Sequence, residues 1–151
     1  MDNNSLRLKW DNILQFKERK GYKALRLSSN CKADLFIATD IEGYRCLLLY
    51  LPSGTNIIVK GVNKDKLLLS YIDEKDILMI KLKDSDFVDL FDDLILSLYS
   101  KIVLFHEPDK ASQELINSFF KWADFFEDSY NHKLSAEQIM GLFGELFYLN
   151  I

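Results

Sequence analysis

Basic charge is in short supply: 19 Lys and Arg against 23 Asp and Glu leave a net charge of -4 over 151 residues. The chain as a whole lacks the basic footprint that holds nucleic-acid phosphates, which argues against autonomous DNA or RNA binding. Cysteine is scarce as well. Cys31 and Cys46 have no CxxC spacing, and with His106 and His132 they make no zinc pattern. Both cysteines read as buried thiols in a reducing cytoplasm, with a disulfide between neighbouring strands as the lesser alternative. No apolar run reaches the roughly 18 residues of a membrane span. The start, "MDNNSLRLKW", has no hydrophobic core of a signal peptide. A cytoplasmic protein without membrane contact is expected. There is no G-x-S-x-G elbow for a serine nucleophile. The "LPSGTN" stretch is not a phosphate loop, because it lacks the Gly-Lys-Ser/Thr ending.

What is present is globular. Hydrophobic residues make up 48% and charged residues 28%, enough to drive burial and keep the surface wet. The length suits one ordinary domain, or one small domain and part of another. Leu6, Trp10, Ile13, Leu14 and Lys17 follow helical spacing behind a cap at Asn4 or Ser5, and Gly21 is a plausible stop. The period then changes to that of strands: "YKALRLSS", "ADLFIATD", "YRCLLLYL", "TNIIVKGV", "KLLLSYI" and "ILMIKLK", separated by short polar turns. Short turns favour antiparallel neighbours, since parallel pairs need long crossovers. The runs over 44–51 and 77–83 belong in the centre, because they alternate least or carry the most bulk.

From Ser85 the period becomes helical again, with Phe87, Leu90, Phe91, Leu94, Ile95 and Leu98 on one face. Asp84, Asp86 and Asp89 crowd its start, as the helix dipole prefers. A second helix, capped by Asp109 or Ser112, carries Leu115, Ile116, Phe119, Trp122, Ala123 and Phe126. A third starts at Ser135, with Gln138 closing a capping box and Leu134 and Ile139 placed as a staple. The expected class is α+β: an N-terminal helix, an antiparallel meander of five to six strands, then three C-terminal helices.

The last helix is apolar nearly all round from Ile139 to Leu149, so it needs cover on every side. Gly141, Gly144, Glu145 and Tyr148 share one stripe, which marks a close approach of another backbone. Glu145 reads either as a surface carboxylate or as one aimed into a polar site.

The stretch "LSAEQIMGLFGELFYLN" resembles the signature of a bacterial family of PD-(D/E)XK motif proteins. Its approach is similar too: the tryptophan-bearing "FFKWADFF", a short polar loop, then Leu-Ser. The upstream order of a tryptophan-bearing helix, strands and "DFVDLFDDLILSL" also fits. The resemblance implies a restriction-endonuclease-like protein about twice this length, associated with restriction and anti-phage gene clusters. It implies that 1–133 form an accessory α+β domain, and that 134–151 are the first helix of a nuclease core continuing beyond this chain. In such folds the first core helix often presents a glutamate toward the metal. Glu145 alone maps onto that catalytic and metal-binding role, and Mg²⁺ is expected only for a full-length nuclease.

The motif itself needs an Asp, then an acid and a Lys separated by one residue on the next strand; the carboxylates hold Mg²⁺ and the Lys orients the nucleophile. One Pro-Asp pair exists, Pro108-Asp109, and no acid-x-Lys triplet follows it. Glu18-Arg19-Lys20 and Asp73-Glu74-Lys75 both lie upstream and read as solvated turns. Asp109 reads as a helix cap, and the two histidines as loop residues. Lys17, Arg19, Lys20, Lys23 and Arg26 cluster near the first turn and read as a solvated face or a phosphate contact in a larger assembly.

Two functions follow. The first is the N-terminal segment of a DNA nuclease of a bacterial defence system, without cleavage activity by itself. The second is a non-catalytic interaction module, whose apolar last helix would bind a second copy or a defence-system partner protein.

Overall fold

The computed structural model of the chain describes residues 1–14, 24–55, 57 and 61–127. Helix α1 is Asn3–Leu14, and Leu6, Trp10 and Ile13 are its buried residues. Its cap is Asp2, not Asn4 or Ser5: the Ser5 amide donates to Asp2 Oδ1 at 2.8 Å. An aspartate there satisfies one of the free amides of the first turn. Lys17 and Gly21 lie outside the described residues.

Six strands follow: β1 Ala24–Arg26, β2 Asp34–Thr39, β3 Arg45–Tyr50, β4 Val62–Asn63, β5 Leu67–Ile72 and β6 Ile77–Leu82. They form one sheet, and every neighbouring pair is antiparallel. The β2–β3 hairpin closes on Asp40, whose carboxylate accepts from the amides of Glu42 and Tyr44. Gly43 has φ +90 there, in the left-handed region that a Cβ disfavours.

The meander expectation is corrected. The order is β1-β2-β3-β6-β5-β4, so β3 pairs with β6 and not with β4. Pairing each strand with its successor assumed that every connection is a tight turn. The link from Tyr50 to Val62 is longer. β4 lies three strand spacings from β3, or about 14 Å, an easy reach for that link. The exchange places the two most apolar strands side by side in the centre. Leu48 lies opposite Met79, and Leu49 opposite Leu78.

A 3-10 turn at Ser85–Phe87 then leads into α2, Val88–Ile102. Asp84 caps the turn by accepting from the Asp86 amide. A further helix, α3, runs over 108–127. It starts at Pro108, a residue whose fixed φ and missing N–H suit the first helical position. Asp109 therefore sits inside the first turn and not at the cap, and Ser112 Oγ donates back to its carbonyl oxygen. The third expected C-terminal helix, together with the 133/134 boundary, lies outside the described residues. Among the described residues, no helix is long and apolar enough to cross a membrane.

The helices pack on one sheet face. Ile37, Leu47, Leu49, Leu69 and Ile80 meet Trp10, Phe91, Leu94, Leu98, Phe119 and Phe126 there in one core. The opposite face is apolar as well. Ala38, Cys46, Leu48 and Ile77 are at most 2% exposed and form a second cluster, edged by Phe36, Tyr50, Ile72 and Met79. Strand β3 is buried on both faces, which is why its sequence barely alternates.

The two cysteines are free and buried, as expected. They belong to different clusters, Cys31 on the helix side and Cys46 on the other, so no disulfide joins them. Burial, with Asp40 nearby, pushes the Cys46 thiol up to about 12. The thiolate is the reactive form. Native protein at mild alkaline pH is therefore expected to leave Cys46 unmodified by iodoacetamide. Modification should appear only in denaturant, as read by mass spectrometry.

Candidate functional site

The sheet, the loop after α2 and the start of α3 enclose a cleft of about 180 Å³. Its walls come from Lys32 and Ala33 with the first residue of β2, Asp34, from the end of β3 and the two residues after it (Leu49 to Pro52), and from the segment Phe105–Pro108 with Ala111 of α3. Leu49 and Leu51, both in the main core, are among the apolar lining residues. Tyr50 belongs to the lining, but its ring stacks at a tilt on Phe36, with centroids 4.8 Å apart, in the cluster on the opposite sheet face. Asp34 is held by Arg26, whose Nη1 donates to Oδ1 at 2.6 Å. The other guanidinium nitrogen donates to the carbonyls of Cys31 and Ala33. One planar side chain thus braces the loop between β1 and β2 with several directed bonds. Glu107 faces Lys110 at 3.7 Å, both exposed. A pair so exposed contributes little stability.

His106, read from sequence as a solvated loop residue, is exposed as expected and also lines this cleft. His132 lies outside the described residues. Only the tertiary packing of three distant segments makes the cleft.

The structure does not assemble a PD-(D/E)XK centre from the described residues. Glu145 and Glu18-Arg19-Lys20 lie outside them. Asp109 opens a helix, and Asp73 to Lys75 occupy the exposed β5–β6 turn. Among the described residues no three His, Cys, Asp or Glu side chains are grouped to hold a metal. A magnesium ion needs carboxylates converging on one octahedral position, and these do not converge.

A buried polar contact escaped the sequence reading. Asp92, on α2, is 6% exposed. It accepts from Trp10 Nε1 at 2.9 Å, and Arg45 Nη1 stands 3.7 Å from the same oxygen. The Arg45 guanidinium lies 4.6 Å from the centroid of the Trp10 ring, a cation–π contact. One indole thereby ties α1 to α2 and β3. Burial raises the carboxyl of Asp92 above the ordinary range, opposed by the Trp10 hydrogen bond and the Arg45 charge. The only sequence signal was an acid next to Phe91 on a helix whose other acids face water. On the opposite sheet face Lys81 pairs with Asp40 and lies 4.9 Å from the Tyr44 ring. That hydrogen bond holds the lysine above its ordinary value. Both constellations are internally satisfied and leave no group poised for chemistry.

Neither a curated protein nor a solved structure matches the chain. The protein family described as "Putative PD-(D/E)XK family member, (DUF4420)" matches residues 6–151. That span takes in most of α1, the whole sheet, both following helices and the Leu134–Ile151 signature on which the resemblance first rested. The chain therefore belongs to this PD-(D/E)XK-related family, DUF4420.

Proposed function

We propose that this chain is the accessory segment of a nuclease-like protein of a bacterial defence system. It positions DNA or a partner protein and has no cleavage activity by itself. One observation carries the reading: a PD-(D/E)XK-related family matches nearly the whole chain, yet the only Pro-Asp pair opens a helix and both acid-x-Lys triplets precede it. Metal-dependent hydrolysis needs carboxylates and a lysine at neighbouring strand positions, so the cutting chemistry belongs to residues other than these. On the resemblance of its surrounding sequence, Glu145 is the residue we place at the edge of such a site. In the parent protein it would face Mg²⁺ bound by further carboxylates.

The test is a cleavage assay of the purified chain on supercoiled and linear DNA with Mg²⁺. No product above background is expected. Magnesium-dependent cutting that Glu145→Ala abolishes would overturn the reading. The second reading, an interaction module, rests on the apolar run from Ile139 to Leu149. It calls for a stable dimer or a co-purifying partner, and light scattering on the purified chain tests for the dimer.

A further inference from the structure

We infer that the second sheet face, turned away from α1, α2 and α3, is the docking surface for residues 134–151, which lie on it as a helix through Ile139, Leu142, Phe143 and Leu146. The contact stands by itself; its meaning as the seat of a nuclease core rests on the reading above. Burial is the first argument. Ala38, Cys46, Leu48 and Ile77 are at most 2% exposed, and Phe36, Tyr50, Ile72 and Met79 around them are half-buried. Among the described residues every member of this cluster is a strand residue. A bare sheet face leaves the side chains of its central strands in water, so a leucine this buried calls for a layer above it.

Chemistry is the second argument. Residues 15–23 include Lys17, Glu18, Arg19, Lys20 and Lys23, and laying them on an apolar face would strand charges. Residues 56 and 58–60 are too few for the area. Residues 134–151 have the matching surface. Ile139, Leu142, Phe143 and Leu146 follow the i, i+3, i+4, i+7 spacing of one helix face. A helix from Ile139 to Leu149 is about 16 Å long, and a six-residue strand such as β3 is about 20 Å, so one covers the other. Gly141, Gly144, Glu145 and Tyr148 fall on the opposite side of that helix. Glu145 thereby stays out of the apolar seam and is left for whatever packs on the outer side.

Reach is the third. Near the end of α3, the Phe126 and Phe87 ring centroids are 6.0 Å apart, and the Lys66 ammonium stands 5.6 Å from the Phe87 ring. Lys66 directly precedes β5, so α3 ends over the end of the sheet where β5 begins and β6 finishes. Cys46 and Ala38 lie toward that end on the second face. Residues 128–134 span about 23 Å when extended, enough to pass round it between layers about 10 Å apart.

The experiment measures nuclear Overhauser contacts between methyl groups of the full chain, with Ile, Leu and Met methyls labelled. Cross-peaks from Ile139, Leu142 and Leu146 to Leu48, Ile77 and Met79 within one molecule are expected. Contacts from those three only to helix-side residues such as Leu94 and Leu98, or no contacts, would overturn the inference. So would cross-peaks that arise only between differently labelled copies in a mixed sample, which would make the face a dimer surface. A second measurement reads the same contact chemically. Phe143→Asp puts a charge into the seam. It is expected to raise iodoacetamide modification of Cys46 in native buffer about tenfold or more, while Cys31, on the helix side, stays protected. Unchanged protection of Cys46 would likewise overturn the inference. The methyl contacts need no substitution, so they decide the matter even where Phe143→Asp disturbs folding. The outcome is separable from the nuclease reading. Magnesium-dependent DNA cutting by this chain alone would defeat the accessory role and leave the contact untouched. Absent contacts in a chain that does not cut would defeat only the docking.

Discussion

Replacing Trp10 with alanine is expected to lower the folding free energy by about 3–5 kcal/mol, the usual cost of truncating a large buried aromatic. Trp10 is 1% exposed and shares the main core with Phe91 and Leu94. Its loss would leave a cavity between α1 and the sheet. It would also take the indole donor from Asp92 and the ring from beneath Arg45. Trp10→Phe separates these contributions. It keeps most of the apolar volume but removes the N–H together with the rest of the pyrrole ring, so a cost nearer about 1–3 kcal/mol, mostly that of stranding the buried Asp92 carboxyl, is expected. Urea denaturation of the three proteins measures the difference. If Trp10→Phe costs as much as Trp10→Ala, the hydrogen bond and not the packing anchors α1.

The same contact carries a pH signature. Burial raises the Asp92 carboxyl above its ordinary value of 3.8, so the folded state holds the proton more tightly than the unfolded chain. By linkage, stability from this group is greatest in acid and declines as pH rises through the unfolded and then the folded value. Asp92→Asn keeps an acceptor for Trp10 and cannot ionise. Its stability relative to the native protein should therefore improve from acid to neutral pH. A relative stability that worsens over that range would show that the Arg45 pairing outweighs burial.

Leu48→Asp is expected to cost roughly 3–5 kcal/mol, as an uncompensated buried charge does. The reasoning turns on which face Leu48 occupies. It points away from all three described helices, and a sheet covered on one side only would tolerate a carboxylate there at about 0.5 kcal/mol or less. Yet Leu48 is 2% exposed, within a cluster with Ala38, Cys46 and Ile77. Thr39→Asp, at a half-buried position at the end of β2, is the control and should cost far less. Thermal melts of both variants decide the matter. A Leu48→Asp protein melting with the native one would mean that this face is open to water.

Much of the fold was legible because it is local. Helical spacing of Leu6, Trp10 and Ile13, and later of Phe91, Leu94, Ile95 and Leu98, marks buried faces whatever they meet, and all seven are buried. The continuous apolar run of β3 announced a strand covered on both sides, and β3 and β6 are indeed central. Strand order was less legible. A connection's length bounds how far the chain can travel but does not dictate where it goes. The pairing of β3 with β6 was decided by what those two strands bury together.

The candidate site was almost invisible for the same reason. Lys32, Tyr50 and His106 carry no shared motif, and none is near another in sequence. Asp92 looked like any helix acid, because its partner Trp10 is 82 positions away. The sequence by itself determined the element types, the faces they bury, the family signature and the misplacement of the nuclease motif. These depend on period, composition and spacing along the chain. Tertiary structure alone decided the sheet order, the second buried face, the Trp10–Asp92–Arg45 contact and the cleft. Each of these is a meeting of distant residues, and its energy depends on desolvation and geometry that no local pattern encodes.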